Sequence, residues 1–231
     1  LLDSNFATII ASVEEGRGIF DNIRKVVVYL VAGSFSEMVT VLGSIFIGIP
    51  LPLTAAQILW INIVTDGFPN LALTVDPKAP DLLKRPPQKQ HTALLDGQMQ
   101  LLAVFTSGIT GVVSLVVFLL AYSRTNDLVL AQTVTFTTLA VSSLCYVFST
   151  RNLTQPMWKE SLLVNPYLLG TVVLSFLLQL VTLYVPFFRD LLKTKEIPFW
   201  WWMVIVIACI GIVVCIEIVK EISIYIRRRQ S

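Results

Sequence analysis

The chain has 231 residues, of which 55% are apolar and only 14% are charged, and its formal net charge is +2. Its apolar residues come in long blocks rather than at amphipathic spacing, which excludes an ordinary soluble domain and indicates an integral membrane protein. We therefore expect an all-α, polytopic fold that lies in the lipid bilayer. A nucleic-acid partner is not expected.

The first 25 residues predict an amphipathic helix that leads into the membrane. Four apolar residues between Phe6 and Val13 follow the i, i+3, i+4, i+7 spacing. We expect residues 1 to 25 to form a cytoplasmic stalk helix that continues into the first span as one rod. A surface helix bent at Gly16 or Gly18 is the alternative. Because the chain opens in mid-pattern and without Met, we also expect it to be cut from a longer reading frame.

Six apolar blocks are each long enough to cross a bilayer, which takes about 20 residues. They cover residues 26 to 49, 53 to 75, 99 to 122, 128 to 149, 166 to 187 and 198 to 219. The predicted membrane domain covers 26 to 222, with loops near 76 to 98 and 150 to 165 and a basic tail at 223 to 231. Lys and Arg concentrate in these loops and near both termini, so we expect all of them in the cytoplasm. In a prokaryote the membrane would be the cell membrane.

Small residues predict where two of the spans pack closely. Ala32, Ser36, Thr40 and Ser44 recur every four positions in the first span, and Ser107 and Gly111 repeat the spacing in the third. Such a pattern lets helix backbones approach each other, so we expect these two faces to meet. Three cysteines, Cys145, Cys209 and Cys215, also fall inside spans. We interpret them as packing residues rather than as a disulfide or a zinc site.

Two spans each carry one acid near the centre, Glu37 in the first and Asp66 in the second. A carboxylate costs a few kcal/mol at the bilayer midplane even on the lenient insertion scales. Two such residues at similar depth on adjacent helices are therefore a functional-site signal. We expect them to face each other across the bundle.

The segment around Asp66 combines oxygen ligands with helix breakers. Asn62, Thr65 and Asp66 lie at i, i+3 and i+4, so their oxygens share one helix face. Pro69 cannot donate to the carbonyl of Thr65, and Gly67 loosens the same turn. Backbone and side-chain oxygens would thus be offered together, as in the broken helices of transporters. Oxygen ligands without His or Cys suit a hard cation such as calcium.

Other interpretations of the polar membrane residues stay open. Glu37 could be protonated and hydrogen-bonded to Asn62 as a neutral tie between helices. The other polar residues are weaker signals, and we expect interhelical hydrogen bonds from them rather than ion ligands; they are Ser34, Ser142, Ser143 and Gln179. Glu217 is expected to be an interfacial charge near the end of the last span.

Two stretches together resemble a known family. They are "DSNFATIIASVEEGRGIFDNIRKVVVYL", which leads into the span that bears Glu37, and "LWINIVTDGFPNLALTVDPKAPDLLKRPP". Both are similar to the C-terminal membrane half of P-type cation-transporting ATPases of the calcium-pump type. The resemblance implies that the six spans are the fifth to tenth helices of a ten-helix pump. It also implies that the loop from Val75 to Gln98 couples the membrane helices to the phosphorylation domain.

The resemblance further implies an ion site. Glu37, Asn62, Thr65 and Asp66 fall where the ion ligands of the family lie. Pumps of this family that carry two calcium ions have Asn where this chain has Ser34, and Glu at about Ser143. Both differences weaken the same site, so one ion per cycle is expected, centred on Asn62 and Asp66 with a Glu from the fourth helix. Glu37 would then be a flanking ligand or a proton carrier.

The parts of a P-type ATPase that handle ATP are not found in this sequence. The motifs "DKTG", "TGES" and "GDGxND" do not occur in it. ATP and Mg²⁺ would therefore act only in upstream domains of the same pump, and this chain alone is not expected to hydrolyse ATP. We predict the membrane half of an ATP-driven cation pump for calcium, with manganese, sodium or protons as other ions. A self-sufficient secondary transporter or channel, or a membrane fragment without transport, are the alternatives.

Overall fold

The computed structural model describes residues 6–78, 82–84, 94–152, 156–159 and 162–230. These residues form helices and connecting turns, and the described part of the chain contains no strand. In chain order the α-helices are α1 (Phe6–Ile47), α2 (Ala55–Trp60), α3 (Gly67–Thr74), α4 (Gly97–Thr125), α5 (Leu128–Arg151), α6 (Pro166–Tyr184), α7 (Pro186–Leu192) and α8 (Phe199–Gln230). The predicted all-α, polytopic membrane fold is confirmed.

Five helices, α1, α4, α5, α6 and α8, are long and apolar enough to cross a membrane. The second of the six predicted spans is present but is not one continuous helix. It consists of α2, a π-helical turn over Ile61–Thr65, and α3. Among the described residues five of the six predicted spans thus have a helix that could cross a membrane, while the second is divided into three short pieces and stays a predicted crossing.

Helix α1 is a single helix of 42 residues that covers residues 6 to 25 of the predicted stalk and most of the first span. Residues 1 to 5 of the predicted stalk lie outside the described residues. Neither Gly16 nor Gly18 interrupts it, so the structure favours the continuous rod over a helix folded onto the membrane surface. At Gly18 an added Cβ would lie 2.9 Å from the Cγ atom of Lys78. The loop after α3 therefore packs directly against the stalk part of α1.

The ends of two predicted spans are corrected by the structure. The fifth was expected to reach residue 187, but α6 ends at Tyr184 and α7 begins at Pro186. Pro186 lacks an N–H and disfavours helical backbone at the residue before it, so Val185 is extended and the chain turns there. The last span continues as α8 to Gln230, so the predicted tail at 223 to 231 is helical up to that residue. The side chains of Arg227, Arg228 and Arg229 lie outside the described residues, as do Arg85 and Lys89 of the first loop.

Helices α1 and α4 pack closely through the predicted small residues. Thr40 Oγ1 donates a hydrogen bond of 3.2 Å to the carbonyl of Gly111. A Cβ at Gly111 would lie 2.6 Å from Cβ of Val39 and 2.8 Å from the carbonyl oxygen of Ser36. Only glycine allows this approach, so the predicted pairing of these two faces is confirmed.

Helix α5 lies at the centre of the bundle and is the most buried of the candidate spans. It contacts α1, α4, α6, α8 and the π-helical turn. Asp127 caps its N-terminus by accepting a hydrogen bond of 3.1 Å from the backbone N–H of Leu130. This central position brings Ser143, on the middle turns of α5, to the interrupted second span.

Candidate cation site

The interruption of the second span lies directly before Asp66. The backbone N–H of Asp66 donates to the carbonyl of Ile61 at 2.9 Å. This bond reaches back five positions along the chain, instead of the four of an α-helix. Helix α3 then begins at Gly67, which places Pro69 in its first turn, where a missing N–H costs nothing. Asp66 is therefore at the junction of two helical segments.

Hydroxyl groups of other helices lie against two backbone carbonyls of this segment. Ser175 Oγ of α6 donates to the carbonyl of Val64 at 2.8 Å. The Tyr29 hydroxyl of α1, whose nearest partner is Ser143 Oγ at 2.7 Å, lies 3.3 Å from the carbonyl oxygen of Thr65. This arrangement differs from the expectation that the opened turn offers its carbonyls to an ion. The side chains, rather than these two carbonyls, supply the free oxygens.

Asp66 is 1% exposed and its two carboxylate oxygens have different surroundings. Ser143 Oγ donates to Oδ1, and the Tyr29 hydroxyl lies 3.4 Å from the same oxygen. The second oxygen, Oδ2, has no hydrogen-bond partner among the described residues. Within the described ranges all partners of this buried carboxylate are neutral, and no cationic side chain forms an ion pair with it.

The free oxygen of Asp66 lies against Gly33 of α1. A Cβ at Gly33 would be 2.5 Å from Asp66 Oδ2 and 3.2 Å from the hydroxyl oxygen of Tyr146. The Tyr146 hydroxyl and Thr65 Oγ1 are also buried and have no hydrogen-bond partner in the described part of the chain. Three buried oxygens without partners therefore occur around the break, which is rare because such groups cost about 1–3 kcal/mol each.

Glu37 and Asn62 form a second polar pair. Glu37 is 6% exposed, and the Asn62 side-chain amide donates to its carboxylate at 3.1 and 3.4 Å. The same amide also donates to the carbonyl of Ile58 at 2.9 Å. The hydrogen bond between Glu37 and Asn62 that the tie interpretation requires is thus present.

The sequence matches a known protein family over most of its length. Residues 50–222 match the family described as "Cation transporting ATPase, C-terminus". The chain belongs to the cation-transporting ATPase family. The resemblance to the C-terminal region of P-type ATPases of the calcium-pump type is therefore confirmed.

Curated relatives of this cation-transporting ATPase chain are named as calcium or cation pumps. It is 36% identical over 207 residues to "Calcium-transporting ATPase" of Bacillus subtilis (strain 168), and the aligned region covers 89% of this chain and 23% of that protein. It is 30% identical over 236 residues to "Calcium-transporting ATPase 1" of Bacillus cereus, and the aligned region covers 95% of this chain and 26% of that protein. The chain thus spans about a quarter of the length of these relatives.

The structure brings most of the predicted site residues of this family member together, but not all. Thr65, Asp66 and Ser143 meet at the helix break, and Glu37 pairs with Asn62 beside it. Ser34 has an exposed side chain and lies outside this cluster. Among the described residues, no three His, Cys, Asp or Glu side chains form one group that could hold a metal ion. The oxygens that surround Asp66 come instead from hydroxyl groups.

Several residues of the site were missed by the sequence prediction. Tyr29, Gly33 and Tyr146 contact or adjoin Asp66, but in the sequence each is an unremarkable member of an apolar block. Tyr29 and Tyr146 lie near the ends of their predicted spans, where tyrosine is common, so the sequence held no specific signal for them. No periodicity could have shown that the two tyrosines converge, with ring centroids 5.4 Å apart.

Other polar membrane residues have structural surroundings. Ser142 Oγ donates within its own helix to the carbonyl of Leu139 at 3.0 Å, so it is not the interhelical bond that was expected. Gln179 is fully buried. Glu217 is 1% exposed and pairs with Lys220 at 2.7 Å, so it belongs to a buried ion pair, and its location at the membrane interface stays a prediction. The three cysteines are free thiols.

Proposed function

We propose that the chain is the membrane half of an ATP-driven calcium pump and that Asp66 is the central ligand of the transported ion. The observation that carries this proposal is the state of Asp66. Among the residues that the structure describes, this buried carboxylate has only neutral partners, and its oxygen Oδ2 has none. A buried carboxylate of this kind is stabilised when a cation binds next to it. The calcium pumps among its relatives favour Ca²⁺ as that cation.

Thr65, Glu37 and Asn62 are proposed as the further ligands. Thr65 Oγ1 is buried and without a partner, and it adjoins Asp66 in the chain. Glu37 and Asn62 already share a hydrogen bond, and each has oxygens suited to calcium. Ser143 is engaged with Asp66 Oδ1, and Ser34 is exposed on α1, so we assign neither to the ion. This set fits one ion per cycle, completed by a carboxylate from the N-terminal half of the pump.

The interruption of the second span gives the site a means to change. Helices α2 and α3 are separated by the π-helical turn, so α3 can shift relative to α2 without breaking a continuous helix. Phosphorylation in the upstream domains would move α1, whose stalk packs against the loop after α3. Such a movement releases the ion only if the two states differ in their affinity for it. ATP and Mg²⁺ would bind in those upstream domains.

The orientation of the bundle follows from its two ends. Lys25 of α1 and Lys220 of α8 lie at the same end of the bundle. Lys25 contacts Asp76, which also contacts Arg151, and Lys220 contacts the carbonyl of Asn152, the residue after Arg151. The basic residues at this end support a cytoplasmic location for both termini. Calcium would then leave the cytoplasm through the bundle.

ATP-driven uptake of ⁴⁵Ca²⁺ into inverted vesicles that contain the full-length pump tests this function. We expect Asp66→Asn to abolish uptake, because losing one partner of a buried charge pair costs about 2–5 kcal/mol. Asp190→Asn, on the exposed surface of α7, is the matched control and should transport normally. Uptake by Asp66→Asn at the unaltered rate would overturn the proposal. Parallel assays with ⁵⁴Mn²⁺ and ²²Na⁺ identify the ion.

A further inference from the structure

Asp76 forms a second polar junction, at the end of the bundle where both termini lie. Its carboxylate binds Lys25 of α1 through Oδ2, and Oδ1 accepts from Arg151 Nε and from Asn165 Nδ2, each at 2.9 Å. Its backbone carbonyl accepts from Asn22 Nδ2 at 2.9 Å. We call these five residues the Asp76 junction. It joins α1, the segment after α3, the end of α5 and the start of α6.

The Asp76 junction is buried although it contains three charged groups. The exposed fractions of the side chains are 3% for Asp76, 6% for Arg151 and 16% for Lys25. Removing the acid would break both ion pairs in a region that water hardly reaches. Breaking a buried pair in this way is strongly destabilising, so the junction has one favoured arrangement.

Three of these parts, namely α1, the segment that contains α3, and α5, meet again at Asp66. Tyr29 lies about one helical turn after Lys25 on α1, and Ser143 lies about two turns before Arg151 on α5. Asp66 and Asp76 are the two ends of the segment that contains α3, a helix of eight residues without a break. A shift of α3 along its axis would therefore change the contacts at both acids together.

We propose that Asp76 is a positioning residue for the cation site: its ion pairs with Lys25 and Arg151 hold α1, α3 and α5 in the register at which Tyr29 and Ser143 bind Asp66. The proposal rests on the proposed role of Asp66 as an ion ligand. It assigns to Asp76 no contact with the ion. Its effect on the ion passes through the two hydroxyl groups that orient the Asp66 carboxylate.

Equilibrium binding of ⁴⁵Ca²⁺ to the full-length pump tests this role. We expect Asp76→Asn to weaken calcium binding by about tenfold, within the usual range of coupling between distant sites. In a Tyr29→Phe, Ser143→Ala background the same change should weaken it by less than about twofold, because the contacts through which Asp76 acts are already gone. A residue that serves only the general stability of the fold would not show this dependence.

Asp96→Asn is the matched control. Asp96 also pairs with a cation of α1, Arg24 at 3.0 Å, and Asn can keep its role as the N-cap of α4. This ion pair joins α1 to α4 and does not involve α3 or α5, so calcium affinity should stay within about twofold. If Asp76→Asn does not accumulate, Lys25→Gln removes one of the two ion pairs and should give a smaller shift in the same direction.

The outcomes separate this inference from the proposed function. An unchanged calcium affinity in Asp76→Asn, or an equal loss in both backgrounds, overturns the positioning role. If Asp66→Asn itself binds calcium normally, the proposed function fails. The positioning role is then decided by thermal unfolding of Asp76→Asn, Ser143→Ala and the double variant. Non-additive shifts in the unfolding temperature support it, and additive shifts overturn it.

Discussion

Asp66 and Asp76 are two buried acids on one short segment, and their surroundings are opposite. Asp76 is bound by two cations and an amide, so its charge is already compensated within the protein. Asp66 is bound by two neutral hydroxyl groups on one oxygen and by nothing in the described chain on the other. A buried carboxylate can therefore be a structural group or a ligand, and the charge of its neighbours decides which.

The largest expected effect on stability comes from replacing Asp76, whose charge is compensated by two cations. Asp76→Asn should lower the free energy of unfolding of the purified chain by about 3–5 kcal/mol, because the buried ion pairs of Asp76 with Lys25 and Arg151 are lost. Thermal or denaturant unfolding in detergent without divalent cations measures this change. A loss below about 1 kcal/mol would mean that the Asp76 junction is not a buried ion-pair network.

Gly33→Ala tests the close approach to the free oxygen of Asp66. The added Cβ would lie 2.5 Å from Oδ2, so either α1 or the carboxylate must move, at a cost of about 1–3 kcal/mol in stability. Calcium affinity should fall with it. Gly108→Ala is the control: no atom lies within 4 Å of its added Cβ, and alanine should stabilise α4 by about 0.5–1 kcal/mol. Equal effects of the two changes would contradict the described approach.

Asp66→Asn should have a small effect of the opposite sign to Asp76→Asn on the stability of the ion-free protein. Removing a buried charge that has only neutral partners relieves its desolvation cost. The free energy of unfolding should therefore be unchanged or higher by up to about 1 kcal/mol. The measurement is the same unfolding experiment in a chelator. Destabilisation as large as that of Asp76→Asn would show that Asp66 has a structural partner.

The smallest effect is expected for an ion pair at the other end of the bundle. The hydrogen bond from Lys195 Nζ lowers the pKa of Asp127, whose side chain is 34% exposed. Because the pKa of Asp127 is lower in the folded state, the ion pair stabilises the fold at pH values above the unfolded pKa near 4. This stabilisation is lost as the pH falls through the pKa of the folded state. Asp127→Asn, which can still cap α5, should cost at most about 0.5 kcal/mol at pH 7. A cost above about 1 kcal/mol would contradict this, and the difference should vanish at low pH.

The sequence predicted the features of the fold that depend on local composition. Block length predicted the five long apolar helices, and the spacing of Ser36, Thr40 and Gly111 predicted the contact of α1 with α4. The break near Pro69 was expected from backbone chemistry, since proline removes a donor wherever it stands. Its form, a π-helical turn just before Asp66, depends on how the flanking helices pack and was not foreseen.

The site itself was only partly predictable. The rarity of membrane acids pointed to Glu37 and Asp66, and their spacing to Asn62 and Thr65. The convergence of Tyr29, Gly33 and Tyr146 on Asp66 depends on contacts between distant parts of the chain. Such pairings have no local signal, because a serine or tyrosine in a span has the same sequence pattern whichever helix it faces.

Equilibrium binding of ⁴⁵Ca²⁺ to the full-length pump and its Asp66→Asn variant tests the central claim most directly. The free Oδ2 of Asp66 predicts saturable binding in the unaltered pump and an affinity at least about 100-fold lower in the variant. Asp190→Asn should bind like the unaltered pump. Equal calcium affinity in Asp66→Asn and the unaltered pump would contradict the assignment of Asp66 as the ion ligand.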